Sequence, residues 1–202
     1  KFAKKVSPDV IRLILEPTLI IIISVPLALL IVGPIGGILG TWLAEAIKFL
    51  SAHLGFVIVG LLAAAFPYIV MTGMHHALTP IGLNAVATGG DTLIFVSQVC
   101  SHVAQGGAAL AVAVRSRQKN MKQLGSATGI SALMGITEPA LYGVTLKLKR
   151  PLVAATIAAG IGGLVGGLLQ VTLYIPQNCL LALPAFRGGH KPMLNFAFGV
   201  IM

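Results

Sequence analysis

Gln123-Leu-Gly-Ser-Ala-Thr-Gly-Ile-Ser-Ala-Leu-Met-Gly-Ile-Thr-Glu-Pro-Ala-Leu-Tyr-Gly-Val-Thr-Leu146 is apolar enough to enter a bilayer, yet Gly135, Glu138, Pro139 and Gly143 interrupt it. Lys122 precedes the stretch and Lys147 follows it, and Lys and Arg near span ends mark the cytoplasmic side. With both ends on one side, the expected form is a re-entrant hairpin. Such broken backbone is tolerated at membrane depth only where protein or a wet cavity surrounds it. Glu138 sits at the break. A carboxylate at bilayer depth costs about 3 kcal/mol on insertion scales, and beside Pro139 its own helix cannot cover it. Two uses stay open for it: an ion pair with a basic residue such as Lys147, or a hydrogen-bond acceptor in a polar cavity.

The composition around this stretch agrees with a membrane setting. Of 202 residues, 56% are hydrophobic and 9% charged, and the mean hydropathy is +0.96. A soluble domain carries about 25% charged residues, so soluble, disordered and small disulfide-rich classes are excluded and an integral membrane protein is left. Fourteen Lys and Arg against five Asp and Glu give a net charge of +9. The cations fall in short clusters between apolar runs: Lys1, Lys4, Lys5 and Arg12; Arg115, Arg117, Lys119 and Lys122; Lys147, Lys149 and Arg150. That is the pattern of orienting loops, and with no aromatic residues interleaved it excludes nucleic acid as a partner. Cys100 and Cys179 have no partner spacing and read as buried thiols. No cleavable signal peptide opens the chain, which begins at Lys1 and ends inside a fresh apolar run, and it reads as a fragment.

About 20 apolar residues are needed for one helical crossing. Uncharged runs extend over Pro17–Ala44, Leu54–Met74, Thr92–Val114 and Pro151–Phe186, and Met193–Met202 supplies half of another. If Lys1–Arg12 is cytoplasmic and the next three runs each cross once, the Arg115 cluster ends outside. One piece between Gly33 and Asp91 must therefore cross an extra time or not at all. Thr41–His53, with Glu45 and Lys48, reads as an interfacial amphipathic helix, and Ala77–Gly90 as a piece that folds back. Ala159-Gly-Ile-Gly-Gly-Leu-Val-Gly-Gly167 places small residues at helical spacing, as close helix–helix contact in lipid requires.

Other polar residues within apolar runs are candidates for function. His75 and His76 close the run from Phe66 to Met74. Adjacent histidines point in different directions on a helix, so they do not form a metal pair, but each can donate and accept hydrogen bonds to a polyhydroxylated solute. His76 also fits a structural role. Gln98, Ser101 and Gln105 share one helix face with His102 close by, suited either to interhelical hydrogen bonds or to lining an aqueous path. Asn84, after the Thr79-Pro80 turn, is open between capping and substrate contact. No nucleophilic triad, metal set or cofactor loop is recognisable.

Gly135-Ile-Thr-Glu-Pro-Ala-Leu-Tyr-Gly-Val-Thr-Leu-Lys-Leu-Lys-Arg-Pro151 resembles the signature segment of membrane IIC domains of the bacterial phosphoenolpyruvate-dependent sugar phosphotransferase system. Gly73-Met-His-His-Ala-Leu-Thr-Pro-Ile81 is similar to that family's other characteristic segment, and Lys4–Arg12 and Val32–Gly36 fit upstream. The resemblance covers nearly the whole chain and is nearest the β-glucoside branch of the glucose superfamily, with sucrose and trehalose carriers as near relatives.

The resemblance implies an all-α integral membrane fold: a polytopic helical bundle with at least one re-entrant hairpin, here the later part of a roughly ten-helix IIC domain. It implies dimer-side and linking helices over residues 1–55 and a substrate-binding part over 56–202, with the re-entrant segment at 123–147. The implied function is binding and inward translocation of a sugar, with β-glucoside as the expected class, across the bacterial cytoplasmic membrane. Phosphorylation by IIB is coupled to it. Partners would be IIB and IIA domains, HPr indirectly, membrane lipid and a second copy. Carried across, the sugar-binding residues are Glu138 and His75, with His76 the weaker assignment because the family varies there, often to Trp; Thr137 and Asn84 complete the candidate set, and Glu138 is the candidate proton acceptor. The IIB phosphocysteine and IIA phosphohistidine are absent, so the chain is not expected to catalyse phosphotransfer alone. The rival from another class is a proton-coupled secondary transporter or channel with Glu138 as its titrating group.

Overall fold

The computed structural model describes residues 12–27, 30–31, 33–177, 179–180 and 198. The helices run in the order α1 (Arg12–Leu27), α2 (Gly33–Leu54), α3 (Val57–Met71), α4 (His75–Thr88), α5 (Ile94–Arg115), α6 (Lys119–Leu133) and α7 (Glu138–Ala140). A π-helical stretch, Leu141–Thr145, then leads into α8 (Leu146–Leu148) and α9 (Arg150–Leu168). Among the described residues the regular structure is helical apart from an isolated antiparallel bridge between Asp91 and Leu173. Among the described residues, Arg150–Leu168 is the one helix long and apolar enough to cross a membrane, and Thr18–Leu27 and Val57–Met71 are apolar but shorter.

Two compact units are present, residues Lys1–Leu43 and Ala44–Met202. In the first, α1 leaves Ile20, Ile21, Ile22 and Ile23 exposed, a surface that water would not favour. Within the uncharged run over Pro17–Ala44 the described segments are α1 up to Leu27, a π-helical piece at 30–31 and α2 from Gly33. Proline is accepted in a first helical turn but not in an interior, so Pro34 marks a beginning. The stretch Thr41–His53, expected as an interfacial amphipathic helix, is helical and forms the later part of α2. The run Met193–Met202 lies outside the described residues apart from Phe198.

The second unit is built around α3, α5 and α9. Val59 and Ala63 of α3, Val96 and Val99 of α5 and Ala159 of α9 form its buried apolar centre. Glycines set the approach of α3 and α9. A Cβ on Gly163 would lie 2.7 Å from the Val59 carbonyl oxygen, and one on Gly167 would lie 2.4 Å from that of Phe56. The stripe over 159–167 thus brings backbone against backbone, the contact that small residues permit in lipid. The same device joins α5 to α6, where a Cβ on Gly106 or Gly129 would stand 3.1 Å from the other's carbonyl oxygen. A second, smaller apolar cluster of Ala109, Ala132, Ala140 and Val144 seals α5 and α6 against the π-helical turn.

Asp91 ties the segment before α5 to the segment after α9. Its backbone N–H donates to the Leu173 carbonyl and its own carbonyl accepts from Leu173, both at 2.8 Å. Its buried carboxylate accepts from the N–H groups of Ile94 at 3.1 Å and Phe95 at 2.6 Å, satisfying donors that the first turn of α5 leaves without helical partners. Asp91→Ala is expected to lower stability by about 1–2 kcal/mol through loss of this cap. Thermal unfolding in detergent checks it, and an unchanged midpoint would show that the cap carries no stability.

Candidate functional site

The segment around Glu138 folds as helix, break, helix. α6 ends at Leu133, and Gly135 takes φ +94°, a left-handed conformation that only glycine adopts without strain. Ser131 crosses the break in both directions: its carbonyl accepts from Ile136 N–H at 3.0 Å, and its hydroxyl donates to the Ile136 carbonyl at 3.1 Å. Thr137 precedes the returning helix and its carbonyl accepts from Leu141 N–H at 2.8 Å. Pro139 stands in the first turn of α7, where its missing N–H costs nothing. The broken backbone is thereby satisfied, and Glu138 is presented at a helix start rather than wrapped by a helix interior.

Opposite the break stands the corner between α3 and α4. Gly73, at φ +75°, turns the chain after Met71, and His75 is the first residue of α4. His75 Nε2 lies 3.7 Å from Glu138 Oε1, an ion-pair distance but too long for a direct hydrogen bond. Both groups therefore keep capacity for a third partner. His75 Nδ1 is buried and has no hydrogen-bond partner, a condition that polar groups in folded proteins rarely tolerate. Phe66 fixes the neighbourhood: it meets the His75 ring edge-on at 6.4 Å and the His102 ring at 5.9 Å. His76 lies exposed with its ring 4.0 Å from that of His75.

These residues surround a cavity of about 220 Å³. Glu138, Thr137, His75 and His76 line it, joined by Thr79, Gln98 and His102. The side chain of Glu138 is 46% exposed, against 17% for His75, so the carboxylate stands in the hollow while the imidazole is held in its wall. Among the described residues no ion pair joins Glu138 to Lys147. Asn84 stands outside the lining, exposed on α4, with its backbone carbonyl accepting from the Thr88 hydroxyl at 2.9 Å. The polar face of α5 divides. Gln98 and His102, one turn apart, face the cavity, whereas Gln105 accepts from the Thr145 hydroxyl at 3.0 Å across the α5–π contact. Larger hollows of about 490 and 790 Å³ lie elsewhere, but a carboxylate and three imidazoles converge only on the small one.

The chain matches the family described as "Phosphotransferase system, EIIC" over residues 1–160. It belongs to that family. EIIC proteins are integral membrane permeases for sugars, in keeping with the hydropathy of this chain. Among curated relatives, the beta-glucoside-specific EIIBCA component of Bacillus subtilis is 45% identical over 180 residues, 88% of this chain and 30% of its own length. The arbutin-, cellobiose- and salicin-specific EIIBC component of Escherichia coli is 38% identical, over 83% of this chain and 35% of its own length. The sucrose-specific EIIBC component of Vibrio alginolyticus is 42% identical, over 78% of this chain and 34% of its own length. The chain thus spans about a third of the length of these EIIC-containing relatives, which carry B and, in one case, A components in the same polypeptide. No solved structure matches the chain significantly.

Proposed function

We propose that this chain is the sugar-binding part of a multi-pass permease in the bacterial cytoplasmic membrane. In this reading it carries a β-glucoside inward for phosphorylation by a IIB domain that IIA and HPr supply. The observation that carries the reading is the convergence of Glu138 and His75, from two separate chain breaks, on one polar cavity. A carboxylate accepts sugar hydroxyls and an imidazole either donates or accepts, so the pair suits a neutral polyol. Gln98, His102 and Thr137 add further hydrogen-bonding groups around the same hollow. Its size supports a single pyranose ring: about 220 Å³ falls below the ~300–1,000 Å³ of drug-sized sites, and an aglycone would extend from the mouth. The segment 123–147 acts as a re-entrant hairpin that delivers Glu138 to membrane depth, residues 56–202 form the substrate side, and residues 1–55 face a second copy in a homodimer. The β-glucoside assignment leans on the beta-glucoside-specific relative at 45% identity, with the sucrose-specific one at 42% as its main competitor.

Uptake of radiolabelled salicin by the full-length protein, competed with unlabelled arbutin, sucrose and trehalose, tests this. Uptake is expected to need phosphoenolpyruvate and to be blocked best by arbutin. Strongest competition by sucrose would reassign the substrate, and uptake that survives loss of the phosphate relay would favour a proton-coupled carrier titrating Glu138. Within the site, His75→Ala is expected to weaken sugar binding by about 1–2 kcal/mol, while the exposed His76→Ala costs well under half of that. Equilibrium dialysis with labelled sugar gives the order, and the reverse order would move the recognition role to His76.

A further inference from the structure

The hollow of about 790 Å³ shares none of its lining with the cavity at Glu138. It lies where the end of α5, the α5–α6 link and the start of α9 meet. Its wall is largely apolar, with Ala108 and Val112 on one side and Ala154 on the other, and three guanidinium side chains, Arg115, Arg117 and Arg150, line it beside the polar Ser116 and Gln118. Ala108 and Arg115 are seven residues apart on one helix, so the apolar wall extends about 10 Å along α5 from the charged level.

Among the described residues no ion pair joins these guanidinium groups to a carboxylate. From Thr92 to Met202 the sequence holds one carboxylate side chain, Glu138, and that residue belongs to the other cavity. Lys119, Lys122, Lys147 and Lys149 add four further cations close by in sequence. The N-terminus of the 19-residue helix α9, at Arg150, also favours an anion. A neutral apolar helix laid into this groove would leave the guanidinium charge unanswered, and a free phosphate would leave the apolar wall uncovered. An amphiphile with an anionic head satisfies both.

We propose that this groove binds an anionic phospholipid, with its phosphate on Arg115, Arg117 and Arg150 and the upper part of an acyl chain along Ala108, Val112 and Ala154. Basic pockets between helices on the cytoplasmic side are where such headgroups are held. The site lies at the same end of the helices as the orienting cations, so the inference rests on the membrane orientation proposed above.

Native mass spectrometry of the full-length protein from nanodiscs of mixed dioleoyl phosphatidylglycerol and phosphatidylcholine tests it. The protein is expected to retain phosphatidylglycerol in preference to phosphatidylcholine. Each Arg→Gln change should reduce that preference roughly fivefold, and the triple variant R115Q/R117Q/R150Q about a hundredfold. Ala108→Trp, which keeps every charge but fills the groove, should also evict the lipid, as a mere surface field would not. Equal retention by wild type and triple variant would overturn the proposal. So would unchanged retention in Ala108→Trp, or an effect of the arginines on capture of the isolated IIB domain with none on lipid. Sugar binding measured on the same samples separates the two readings: its loss in the wild type contradicts the carrier assignment while leaving the lipid result standing.

Discussion

Glu138→Gln in the full-length permease is expected to weaken sugar binding by about 2–3 kcal/mol, roughly 30- to 150-fold, the range for losing a hydrogen bond to a charged acceptor. The substitution keeps the shape of the side chain and its place at the start of α7, so the break at Gly135 and the Ser131–Ile136 hydrogen bonds that hold it should persist. What changes is the charge 3.7 Å from His75 Nε2. Unaltered unfolding together with lost binding would place the carboxylate in recognition. Glu138→Ala should lose at least as much, because it also empties part of the wall. Unchanged binding in both variants would remove Glu138 from the site.

The second large effect is structural. Gly163→Leu should cost about 3 kcal/mol or prevent assembly of the helical unit, because the added Cβ meets backbone rather than a movable side chain: the Val59 carbonyl oxygen at 2.7 Å and the Gly60 Cα at 2.9 Å. α3 and α9 would have to separate, and the Tyr68 to Thr156 hydroxyl contact at 3.3 Å would go with them. Gly107 supplies the control, since a Cβ there meets nothing within 4 Å. Gly107→Leu is expected to leave the unfolding midpoint in detergent unchanged while Gly163→Leu lowers it or yields no monodisperse protein. Equal midpoints would mean that the two helices are not held by their close approach.

Much of this was readable in the sequence, for reasons that can be assigned residue by residue. Glu138-Pro139 after Gly135 announces a break because a proline cannot follow inside a helix and a buried carboxylate needs company. The glycine run from 160 to 167 announces close packing by its spacing alone. Gly106 and Gly129 lie on different helices, and although Gly125 and Gly129 are spaced for close packing, only the fold shows which helix they meet. On α5, spacing grouped Gln98, Ser101 and Gln105 on one face, yet the cavity takes Gln98 and His102 while Gln105 meets Thr145. Periodicity says which side chains are neighbours on a helix but not which other helix they will meet. Asn84 shows the same limit, since a polar residue beside a turn looks alike whether it faces a cavity or, as here, the outside. Asp91 escaped the N-cap rule, which looks at the residue directly before a helix: that residue is Leu93, and the carboxylate reaches Ile94 and Phe95 from two positions further out.

The account depends on the hollow between α3, α5 and the Glu138 break being the place where sugar is held. A photoactivatable glucoside cross-linked to the full-length protein in membranes, with the adducts mapped by peptide mass spectrometry, tests that most directly. Adducts are expected within residues 66–79, 98–102 and 135–138, and should be competed away by unlabelled glucoside and lost in Glu138→Gln. Competable adducts confined to the groove at Arg115 and Arg150, or to the hollow at Thr92 and Tyr174, with none near Glu138, would contradict it.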